Sequence, residues 1–499
     1  MNLATILDGK PADDLALVGR GRRTSYGELS TQVGQLRAGF QKIGIQPGDR
    51  VALLAANNLW FAVGYLATLG TGAVAVPLNP ASPAAEIRRE LTDIGARVAI
   101  VGPSGRDAMA GLGKGATPLE HVLVPEGVDL PDSTKLASLM KGRKHPPIVD
   151  RTPDDLAVLI FTAGTSGSPK AAMLTHGNLL SNLEQMQTHP GRTLTSADVS
   201  LGVLPMFHIF GLNVILGLTL YAGASAVLVE RFDPASALDT IKDHGVTIVA
   251  GAPPMFQSWA TMPEADPGAF RRVRLAVSGA APLSPEVGTA FETRYHLPIF
   301  QGYGLTEAAP TVTSSVVGGE PKPGSIGCPL PGVEVRLVGP DGDDVLQGDE
   351  GEIWVRGPNV FPGYWEDADA TANALTSDGW LRTGDVAITD DDGYLYIVDR
   401  AKDLVIVSGF NVYPAEVEEV LLEHPGIAEV AIVGMPHPHS GETVKAFVVA
   451  AAGHHLEEDQ VIEFCAGRLA RYKCPTKVTF VDELPHGMGG KLLRRALRA

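Results

Sequence analysis

The sequence predicts an α/β protein of two or more domains, built mainly on parallel sheets. Three observations support this class: the length of 499 residues, an alternation of helix-like and strand-like segments up to about residue 330, and a different pattern after Gly324. A chain of this length exceeds what one hydrophobic core ordinarily serves. Alternating helices and strands favour parallel sheets that are covered by helices on both faces.

The alternation begins with SYGELSTQVGQLRAGFQKIG, whose apolar residues recur at helical spacing. It continues with the strand-like DRVALLA, an apolar helix from Trp60, the strand AVAV, a helix over residues 82–94 and the strand RVAIVG. The segments DTIKDHG, VTIVAG and FRRVRLAVSG continue the alternation of helix-like and strand-like segments further along the chain. This regularity predicts strands that are mostly parallel.

Beyond Gly324 the pattern indicates two smaller parts. The segments PGVEVRLVGPDGD, GEIWVRG and GYLYIVD, separated by Gly, Asp and Pro turns, predict a small antiparallel β unit. From Asp403 a compact α/β module follows, with strands LVIV, EVAIVG, KAFVVA and VTFVD and a helix from Leu456. Another helix begins at Pro414, which suits a first helical position because its missing N–H needs no partner there. We expect the boundary near Asp399–Asp403.

Composition and charge exclude several classes of protein. The chain is 44% hydrophobic and 19% charged, as in ordinary globular proteins. Its 40 Lys and Arg against 57 Asp and Glu give a formal charge of −17, which argues against a nucleic-acid binder. Cys328, Cys465 and Cys474 are widely spaced, which predicts neither a disulfide framework nor a zinc site.

Two long stretches without charged residues, 51–85 and 199–229, raise the question of membrane spans. Pro and Asn interrupt both stretches, and each includes a strand-like run, AVAVPL or SAVLV. A buried helix next to a buried strand accounts for both, so no transmembrane segment is predicted. Without a signal peptide at the amino terminus, the expected location is cytoplasmic, compatible with peripheral contact between an uncharged face and a membrane.

The segment TAGTSGSPKAAM, residues 162–173, follows the apolar run LAVLIF. Its glycines allow successive backbone N–H groups to converge on an anion, its hydroxyls add donors, and Lys170 adds a positive charge. A Walker A loop is excluded because Pro169 precedes the lysine and Ala171 follows it. Alone, the stretch fits a phosphate loop and a surface loop equally well.

Three further motifs can carry chemistry. QGYGLTE (301–307) joins an aromatic face that can stack on a base to a carboxylate that can hold Mg²⁺, although alone it also fits a Gly-rich turn. DGWLRTGD (378–385), followed by YLYIVDR, offers Asp385 and Arg400 to a ribose or to a surface ion pair. In ELPHGMGGKLLRRALRA, Lys491 follows a Gly-rich segment that could deliver it to a developing charge, or it belongs to a basic tail.

Taken in this order, the motifs resemble the adenylate-forming (acyl-activating) superfamily over essentially the whole chain, from TSYGEL to GGKLLRRALR. MLTHGNLLSNLEQ, PMFHIFGL, GYGLTEAAP, LRTGDVA and VSGFNVYPAEVEEVL are most similar to medium- and long-chain fatty-acyl-CoA synthetases of the AMP-forming type. The resemblance implies a large domain (1–401) of two doubly wound sheets plus a β-barrel-like unit, and a small mobile domain (402–499). It also implies two steps: ATP and a fatty acid give an acyl-adenylate and pyrophosphate, and CoA then displaces AMP.

The resemblance assigns ATP to three motifs. The loop residues Thr162, Gly164, Thr165, Ser166, Gly167 and Lys170 would hold the β- and γ-phosphates. Gly279, Ala280 and Ala281 of SGAAPL would form one wall of the adenine site, Gly302 and Tyr303 the other, and Asp385 and Arg400 would bind the ribose.

It also assigns the reacting groups. Thr306 would touch the α-phosphate, Glu307 would hold Mg²⁺, and Lys491 would bridge the carboxylate and the α-phosphate in the adenylation transition state. Lys402 matches the hinge, and Gly409 with Phe410 lies where the pantetheine arm of CoA would pass. Phe207, His208 and Gly304 would border the acyl pocket, with Phe256 beside it. A lone His in an apolar run is ordinarily a core residue, but the motif favours a gate.

The sequence departs from the family pattern at three positions. The family loop usually reads TSGTTGxPKG, whereas Ala163 and Ala171 stand here for a Ser and a Gly. The missing hydroxyl predicts a somewhat weaker hold on ATP, since a hydrogen bond to a charged group contributes about 2 kcal/mol. His486 stands where the family often has a second basic residue before the catalytic lysine, which predicts reduced efficiency at most.

Other functions remain open at this point. An acyl-AMP ligase that passes its product to a carrier protein shares the nucleotide motifs, although the insertion typical of such relatives is not evident. An aryl- or small-carboxylate-CoA ligase shares them too. A catalytically idle nucleotide binder is disfavoured by Glu307, Asp385, Arg400 and Lys491. Chain length and oligomeric state cannot be read from the motifs.

Overall fold

Four β-sheets organise the protein in a computed structural model that describes residues 1–113, 115–142, 145–162, 169–189, 191–400, 404–451, 454–485 and 494–497. Two large sheets and one small sheet are built from residues up to 400, and the fourth lies in residues 404–497, here named the carboxyl-terminal unit. The fold predicted from the sequence, α/β with mostly parallel large sheets, is confirmed.

The nine-stranded sheet has a parallel centre of six strands and antiparallel edges. From one edge its order is Cys328–Pro329, Thr311–Ser314, Ile299–Gly304, Leu275–Ser278, Ile248–Gly251, Val199–Gly202, Ser225–Leu228, Leu15–Gly19 and Arg22–Ser25. The six strands from Ile299–Gly304 to Leu15–Gly19 run parallel, so their carboxyl ends meet along one edge of the sheet, where α/β proteins commonly bind ligands.

The eight-stranded sheet is parallel except for Lys170–Thr175, which is antiparallel to both of its neighbours. Its order is Gly363–Tyr364, Lys170–Thr175, Leu156–Thr162, Val74–Pro77, Arg50–Leu54, Val98–Val101, His121–Val124 and Thr134–Lys135. Lys170–Thr175 is antiparallel to Leu156–Thr162 because a hairpin joins these two strands across the predicted phosphate loop.

The predicted small β unit is a four-stranded antiparallel sheet, in the order Glu334–Val338, Gly351–Arg356, Leu381–Thr389 and Leu395–Arg400. In the carboxyl-terminal unit the order is Phe410–Val412, Val405–Val407, Gly441–Ala450 and Ile427–His437, with Lys477–Phe480 parallel to Gly441–Ala450. The proposed hinge residue Lys402 lies outside the described residues, so the domain boundary stays a prediction.

Helices cover the sheets and start at recognisable sequence signals. Ser25 and Thr175 each form a capping box at a helix start, and proline occupies the first helical position at Pro234, Pro285 and Pro414. The longer α-helices span Tyr26–Lys42, Leu59–Gly70, Ala84–Asp93, His176–Thr188, Pro234–Asp243, Pro253–Thr261, Pro285–Tyr295, Ala368–Ala374, Pro414–Leu422 and Glu458–Ala466. Short helices span Leu3–Leu7, Pro103–Gly105, Arg106–Ala110, Leu136–Leu139, Phe210–Gly217, Leu218–Tyr221, Thr306–Ala308, Ser315–Gly318, Arg471–Lys473 and Arg494–Leu497.

The two uncharged stretches fold as strand and helix combinations, as predicted. Residues 51–85 supply parts of two strands of the eight-stranded sheet and the helix Leu59–Gly70, which is almost entirely buried. Residues 199–229 supply the strands Val199–Gly202 and Ser225–Leu228 with short helices between them. Within the ranges that the structure covers, no helix is both long enough and apolar enough to cross a membrane.

Candidate active site

A cavity of about 600 Å³ opens at the carboxyl ends of the parallel strands of the nine-stranded sheet. Strand ends from both large sheets, the four-stranded sheet and the carboxyl-terminal unit all contribute to its walls. Most of the residues singled out from the sequence line it: Thr162, Phe207, His208, Gly279, Ala280, Ala281, Gly302, Tyr303, Gly304, Thr306, Glu307, Asp385, Gly409 and Phe410. Motifs separated by up to about 250 residues in sequence therefore meet at one place.

QGYGLTE turns sharply at the end of its strand. A Cβ at Gly304 would collide with the carbonyl oxygen of Pro310, so glycine is needed where the chain folds back. The short helix Thr306–Ala308 then places Thr306 and Glu307 at the cavity. The backbone N–H of Phe361 donates to the carbonyl oxygen of Glu307 at 2.9 Å, which fixes the backbone at this residue.

The aromatic and acidic residues predicted to hold adenosine lie next to each other. The hydroxyl of Tyr303 donates a 2.7 Å hydrogen bond to Oδ2 of Asp385. Asp385 lies opposite Arg400 in the antiparallel pairing of Leu381–Thr389 with Leu395–Arg400, so the two predicted ribose residues are cross-strand neighbours. Glu352 holds the turn before Asp385, since its Oε1 accepts a 2.8 Å hydrogen bond from the N–H of Gly384.

The backbone is strained at Ala280, in the wall of the predicted adenine site that lies opposite Tyr303. This residue has φ +71°, a left-handed backbone that costs a non-glycine residue roughly 1 kcal/mol or more. Its neighbour Gly279 allows Phe210 to approach, because a Cβ there would lie 2.9 Å from Cε1 of that ring. The SGAAPL segment therefore leaves the sheet as a tight turn against the cavity, which is typical of functional positions.

The hairpin around the predicted phosphate loop is described only at its ends. Thr162 pairs with Lys170, and its Oγ1 donates a 3.3 Å hydrogen bond to the Lys170 carbonyl oxygen. Residues 163–168, which include Gly164, Thr165, Ser166 and Gly167, lie outside the described residues. Lys170 is not among the cavity-lining residues: its Nζ lies 3.6 Å from Oδ2 of Asp367 and 5.7 Å from the Tyr364 ring centroid.

Ala171, one of the departures from the family pattern, is a buried strand residue. It pairs with Phe161, and its carbonyl oxygen accepts a 2.8 Å hydrogen bond from the N–H of Trp365. Its methyl group packs in the hydrophobic core between the eight-stranded sheet and its helices. The alanine thus stabilises the strand that carries Lys170; Ala163 lies outside the described residues.

Tyr364 is a site residue that the sequence interpretation missed. Its hydroxyl donates a 2.7 Å hydrogen bond to Oε1 of Glu307, and its strand Gly363–Tyr364 pairs with the strand that carries Lys170. Burial, followed by the charge of Glu307, raises the pKa of Tyr364 far above its usual range, so the hydroxyl stays protonated and can donate. The motif GYW gave no local signal, because its partner lies 57 residues earlier in the chain.

His208 lies at a junction between the cavity and the carboxyl-terminal unit. Burial lowers the pKa of His208 to about 4, which keeps its imidazole neutral near pH 7. The Phe410 ring meets the His208 ring edge-on at 6.4 Å and stacks on Phe207 at 6.2 Å. Gly409 has φ +86°, and a Cβ there would lie 3.1 Å from Cβ of Ala252, so this loop approaches the cavity closely.

Behind His208 the cavity is lined mainly by apolar side chains. A π-helix, Phe210–Gly217, begins two residues after His208, and such helices are frequent at functional sites. The deeper lining comprises Val214, Ile215, Leu218, Ile248, Leu275, Val277 and Val316, and the cavity extends to His189, Arg192 and Leu194. Phe256, expected beside this pocket, is not part of the lining; it packs in the core 5.4 Å from Phe291 because its helix turns that face away from the cavity.

The remaining predicted residues cannot be placed. Lys491, Lys402 and His486 lie outside the described residues, and only the backbone of Arg400 is described. Arg494, three residues beyond Lys491, donates a 2.6 Å hydrogen bond to Oε2 of Glu418 on the helix Pro414–Leu422. No group of three or more His, Cys, Asp or Glu side chains suited to a metal ion occurs among the residues covered by the structure.

Comparison with known proteins shows two matching family models. The AMP-binding enzyme model matches residues 4–365, and the AMP-binding enzyme C-terminal domain model matches residues 416–491. A feruloyl-CoA synthase of Amycolatopsis sp is 38% identical over 96% of this chain and 94% of its own length. A long-chain-fatty-acid–CoA ligase of Bacillus subtilis (strain 168) is 34% identical over 97% of this chain and 91% of its own length.

Solved structures match over nearly the whole chain. An o-succinylbenzoate CoA synthetase from Bacillus subtilis, bound with its product analogue OSB-NCoA, has a TM-score of 0.86 at 28% identity and covers 99% of this chain and 97% of its own. ATP-bound MatB from Rhodopseudomonas palustris has a TM-score of 0.75 at 35% identity and covers 100% and 98%. The structure with the product analogue thus matches more closely overall, despite its lower sequence identity.

Proposed function

Because the chain belongs to the AMP-binding enzyme family, as an acyl-CoA synthetase of the AMP-forming type, we propose that it converts a fatty acid to its acyl-CoA. The observation that carries the choice of acid is the apolar cavity behind His208, which begins beside Thr306 and Glu307 and is lined by aliphatic side chains. Relatives named long-chain-fatty-acid–CoA ligases support this choice.

The depth of the cavity is compatible with a substantial aliphatic chain. Its lining includes Val277 and Leu275 along one strand and Ala250 and Ile248 along the next, so it follows the sheet for three residues along each strand, or roughly 7 Å. Burying an alkyl chain contributes about 0.8 kcal/mol per methylene, which favours long acids over short ones.

We propose that the first step is adenylation. A carboxylate oxygen of the acid bonds to the α-phosphorus of ATP while the bond from that phosphorus to the bridging oxygen breaks, and pyrophosphate leaves. The hairpin 162–170 would hold the departing phosphates, and Tyr303, Asp385 and Arg400 would hold adenosine. Lys491, whose role remains a proposal, would offset the negative charge that accumulates where carboxylate and phosphate approach.

The residues at the phosphate end of the cavity fit a magnesium ion. Glu307 presents a carboxylate there, and Mg²⁺ prefers oxygen ligands, commonly one or two carboxylates completed by substrate phosphates and water. When bound, the ion would neutralise charge on the phosphate oxygens. Tyr364 would hold the Glu307 carboxylate in place through its 2.7 Å hydrogen bond.

In the second step the sulfur of CoA bonds to the acyl carbon, the bond from that carbon to the AMP oxygen breaks, and the thiol proton passes to solvent. The loop of Gly409 and Phe410 would border the pantetheine arm. His208, kept neutral by burial, would line the path between this loop and the acyl carbon without placing a charge beside an apolar chain.

Acid-dependent pyrophosphate release tests the proposal, measured over a panel of fatty acids, hydroxycinnamates and dicarboxylates, with and without CoA. We expect release with medium- or long-chain acids and an acyl-CoA product when CoA is present. A preference for hydroxycinnamates would favour the second candidate, an aryl-CoA ligase, which the 38% identity to a feruloyl-CoA synthase supports. Acyl-adenylate that persists after CoA addition would favour transfer to a carrier protein.

A further inference from the structure

A buried group of charged side chains joins the carboxyl-terminal unit to the eight-stranded-sheet side of the molecule. Nζ of Lys473 lies 2.6 Å from Oε1 of Glu86 and 2.8 Å from Oε1 of Glu416. Glu86 is on the helix Ala84–Asp93, whereas Lys473 and Glu416 belong to the carboxyl-terminal unit. The exposed fractions of the three side chains are 7%, 2% and 1% for Lys473, Glu86 and Glu416.

The group is balanced in charge and tied to the backbone. The N–H of Ala470 donates a 2.8 Å hydrogen bond to the second carboxylate oxygen of Glu86. Nη2 of Arg89 lies 3.7 Å from Oε1 of Glu416, so two cations face two carboxylates. Burial and the charge of Glu86 raise the pKa of Glu90, which is buried one turn after Glu86, well above its usual range, and this favours the uncharged form of Glu90.

Lys473 remains positively charged despite its burial. Burial by itself lowers the pKa of Lys473, but Tyr472 and the carboxylates of Glu86 and Glu416 outweigh it and raise the pKa well above its usual value. A buried charge of this kind is costly unless its partners stay in place. The ion pair between Lys473 and Glu86 therefore depends directly on the position of the carboxyl-terminal unit relative to the helix Ala84–Asp93.

The contact between Lys473 and Glu86 lies next to the Gly409–Phe410 loop. The Tyr472 ring, adjacent to Lys473, stacks on the Phe410 ring at 4.6 Å. Phe410 in turn stacks on Phe207, which together with His208 is named here the acyl gate. A continuous path of contacts thus leads from Glu86 through the carboxyl-terminal unit to the acyl gate.

The two partners of Lys473 differ in one important way. Glu416 belongs to the same unit as Lys473 and moves with it, so any rotation of that unit leaves this ion pair intact. Glu86 does not move with it, and a rotation removes both of its partners, the Lys473 ammonium and the Ala470 N–H. The contact with Glu86 therefore favours one orientation while Glu416 keeps the lysine charge paired in any other.

We propose that Lys473 is a positioning residue for thioester formation, which acts by binding Glu86 and so holding the Gly409–Phe410 loop at the acyl gate. The inference rests on the proposed two-step function. It assigns to Lys473 and Glu86 no contact with reacting atoms; their effect is on the orientation of the unit that carries the CoA-facing loop. Adenylation, in which Lys491 would act, is not expected to need this contact.

The test measures the two half-reactions separately in the full-length protein. Adenylation is followed as acid-dependent pyrophosphate release with hydroxylamine as the acceptor, and thioester formation as single-turnover acyl-CoA synthesis from supplied acyl-adenylate and CoA. We expect Lys473→Met and Glu86→Gln each to slow the second half-reaction about tenfold or more, because each removes the charged contact between Lys473 and Glu86 that favours this orientation of the carboxyl-terminal unit. Adenylation is expected to change less than twofold.

Matched variants distinguish an effect on the orientation of the carboxyl-terminal unit from an effect on the folding of the protein. Arg468→Met removes one positive charge from an exposed ion pair with Glu423 in the same unit and is expected to alter neither half-reaction. Lys473→Arg is expected to restore at least part of the second half-reaction, and the double variant Lys473→Met/Glu86→Gln to be no slower than the worse single variant. If Lys473→Met fails to fold, Glu86→Gln, in the other part of the molecule, carries the same test.

Equal losses in both half-reactions, unchanged rates in both, or a double variant slowed by the product of the single effects would each overturn the proposal. Failure of the proposed function itself is distinguishable, because the unmodified protein would then release no pyrophosphate with any acid in the panel.

Discussion

The hydroxyl of Tyr364 donates a 2.7 Å hydrogen bond to Oε1 of Glu307, and so connects the edge strand beside Lys170 to the predicted magnesium ligand. The same ring lies 5.7 Å from Nζ of Lys170, which is itself 3.6 Å from Asp367. Two parts of the proposed phosphate site, the hairpin and QGYGLTE, are thereby fixed relative to each other by one short segment, residues 361–367. The first prediction concerns this hydrogen bond.

Replacing Tyr364 by Phe removes the hydroxyl and keeps the ring against Lys170. A hydrogen bond to a charged group contributes about 1.5–3 kcal/mol, so we expect adenylation to slow by roughly tenfold or more and the Mg²⁺ concentration for half-maximal rate to rise. Thioester formation from supplied acyl-adenylate is expected to be unchanged. Tyr396→Phe, which loses a 3.1 Å hydrogen bond to Asp390, is the control; equal behaviour of the two variants would refute the role of Tyr364.

Lys491→Ala tests the residue on which the adenylation step is proposed to depend. Loss of a cation at the developing charge is expected to slow adenylation by about a hundredfold or more while sparing the second half-reaction. Separate assays of pyrophosphate release and of acyl-CoA synthesis from acyl-adenylate measure this. Lys445→Ala, in the same unit, is the control for loss of one positive charge, and parallel losses in both half-reactions would count against the assignment.

Ile248→Phe tests the acyl cavity. Ile248 lies at the start of its strand, about three residues or roughly 10 Å from the end that borders the proposed adenylate site, and its side chain lines the cavity. A larger ring there is expected to lower kcat/KM for long acids by about tenfold or more and to leave short acids almost unaffected, because only long chains reach it. A uniform loss for all chain lengths would indicate general damage instead.

The burial of His176 is expected to make the stability of the folded protein depend on pH. This fully buried imidazole accepts a 3.0 Å hydrogen bond at Nδ1 from the N–H of Leu3, and burial, then the charge of Arg151, lowers its pKa to about 4. In the unfolded chain the pKa is about 6.5, so the unfolded state binds the proton more readily. Stability is therefore full above pH 6.5 and declines as the pH falls toward 4, by up to about 3 kcal/mol.

The decline is measured as the denaturant midpoint at pH 7.5 and at pH 5. His176→Gln, which keeps an acceptor for Leu3 but does not titrate, is expected to flatten the difference between the two values. His208, whose pKa is also lowered to about 4, contributes in the same range, so some dependence remains in this variant. An unchanged difference between the two pH values in His176→Gln would show that His176 does not carry the effect.

Much of the fold could be predicted from the sequence because its signals are local. The alternation that predicted parallel sheets, the turn-rich strands after Gly324 and the helix that begins at Pro414 all depend on near neighbours in the chain. The motifs that meet at the cavity were found for the same reason: QGYGLTE places Thr306 and Glu307 just past the end of its strand, and LRTGD forms the first half of the strand Leu381–Thr389.

Relationships between distant residues could not be predicted. The hydrogen bond from Tyr364 to Glu307 and the ion pair between Lys473 and Glu86, 387 residues apart, depend on how separate elements pack, which no local pattern reports. The π-helix Phe210–Gly217 was missed because its apolar spacing resembles that of an ordinary buried helix. Phe256 was misplaced because aromatic residues near a pocket and in a core look alike in sequence.

The order of bond formation is tested most directly with a fatty acid in which both carboxylate oxygens are ¹⁸O, in a reaction with ATP and CoA followed by mass spectrometry of the products. If a carboxylate oxygen bonds to the α-phosphorus and the acyl–oxygen bond then breaks, each AMP contains one ¹⁸O atom and pyrophosphate contains none. Unlabelled AMP, or label found in pyrophosphate or orthophosphate, would contradict an acyl-adenylate intermediate and with it the proposed function.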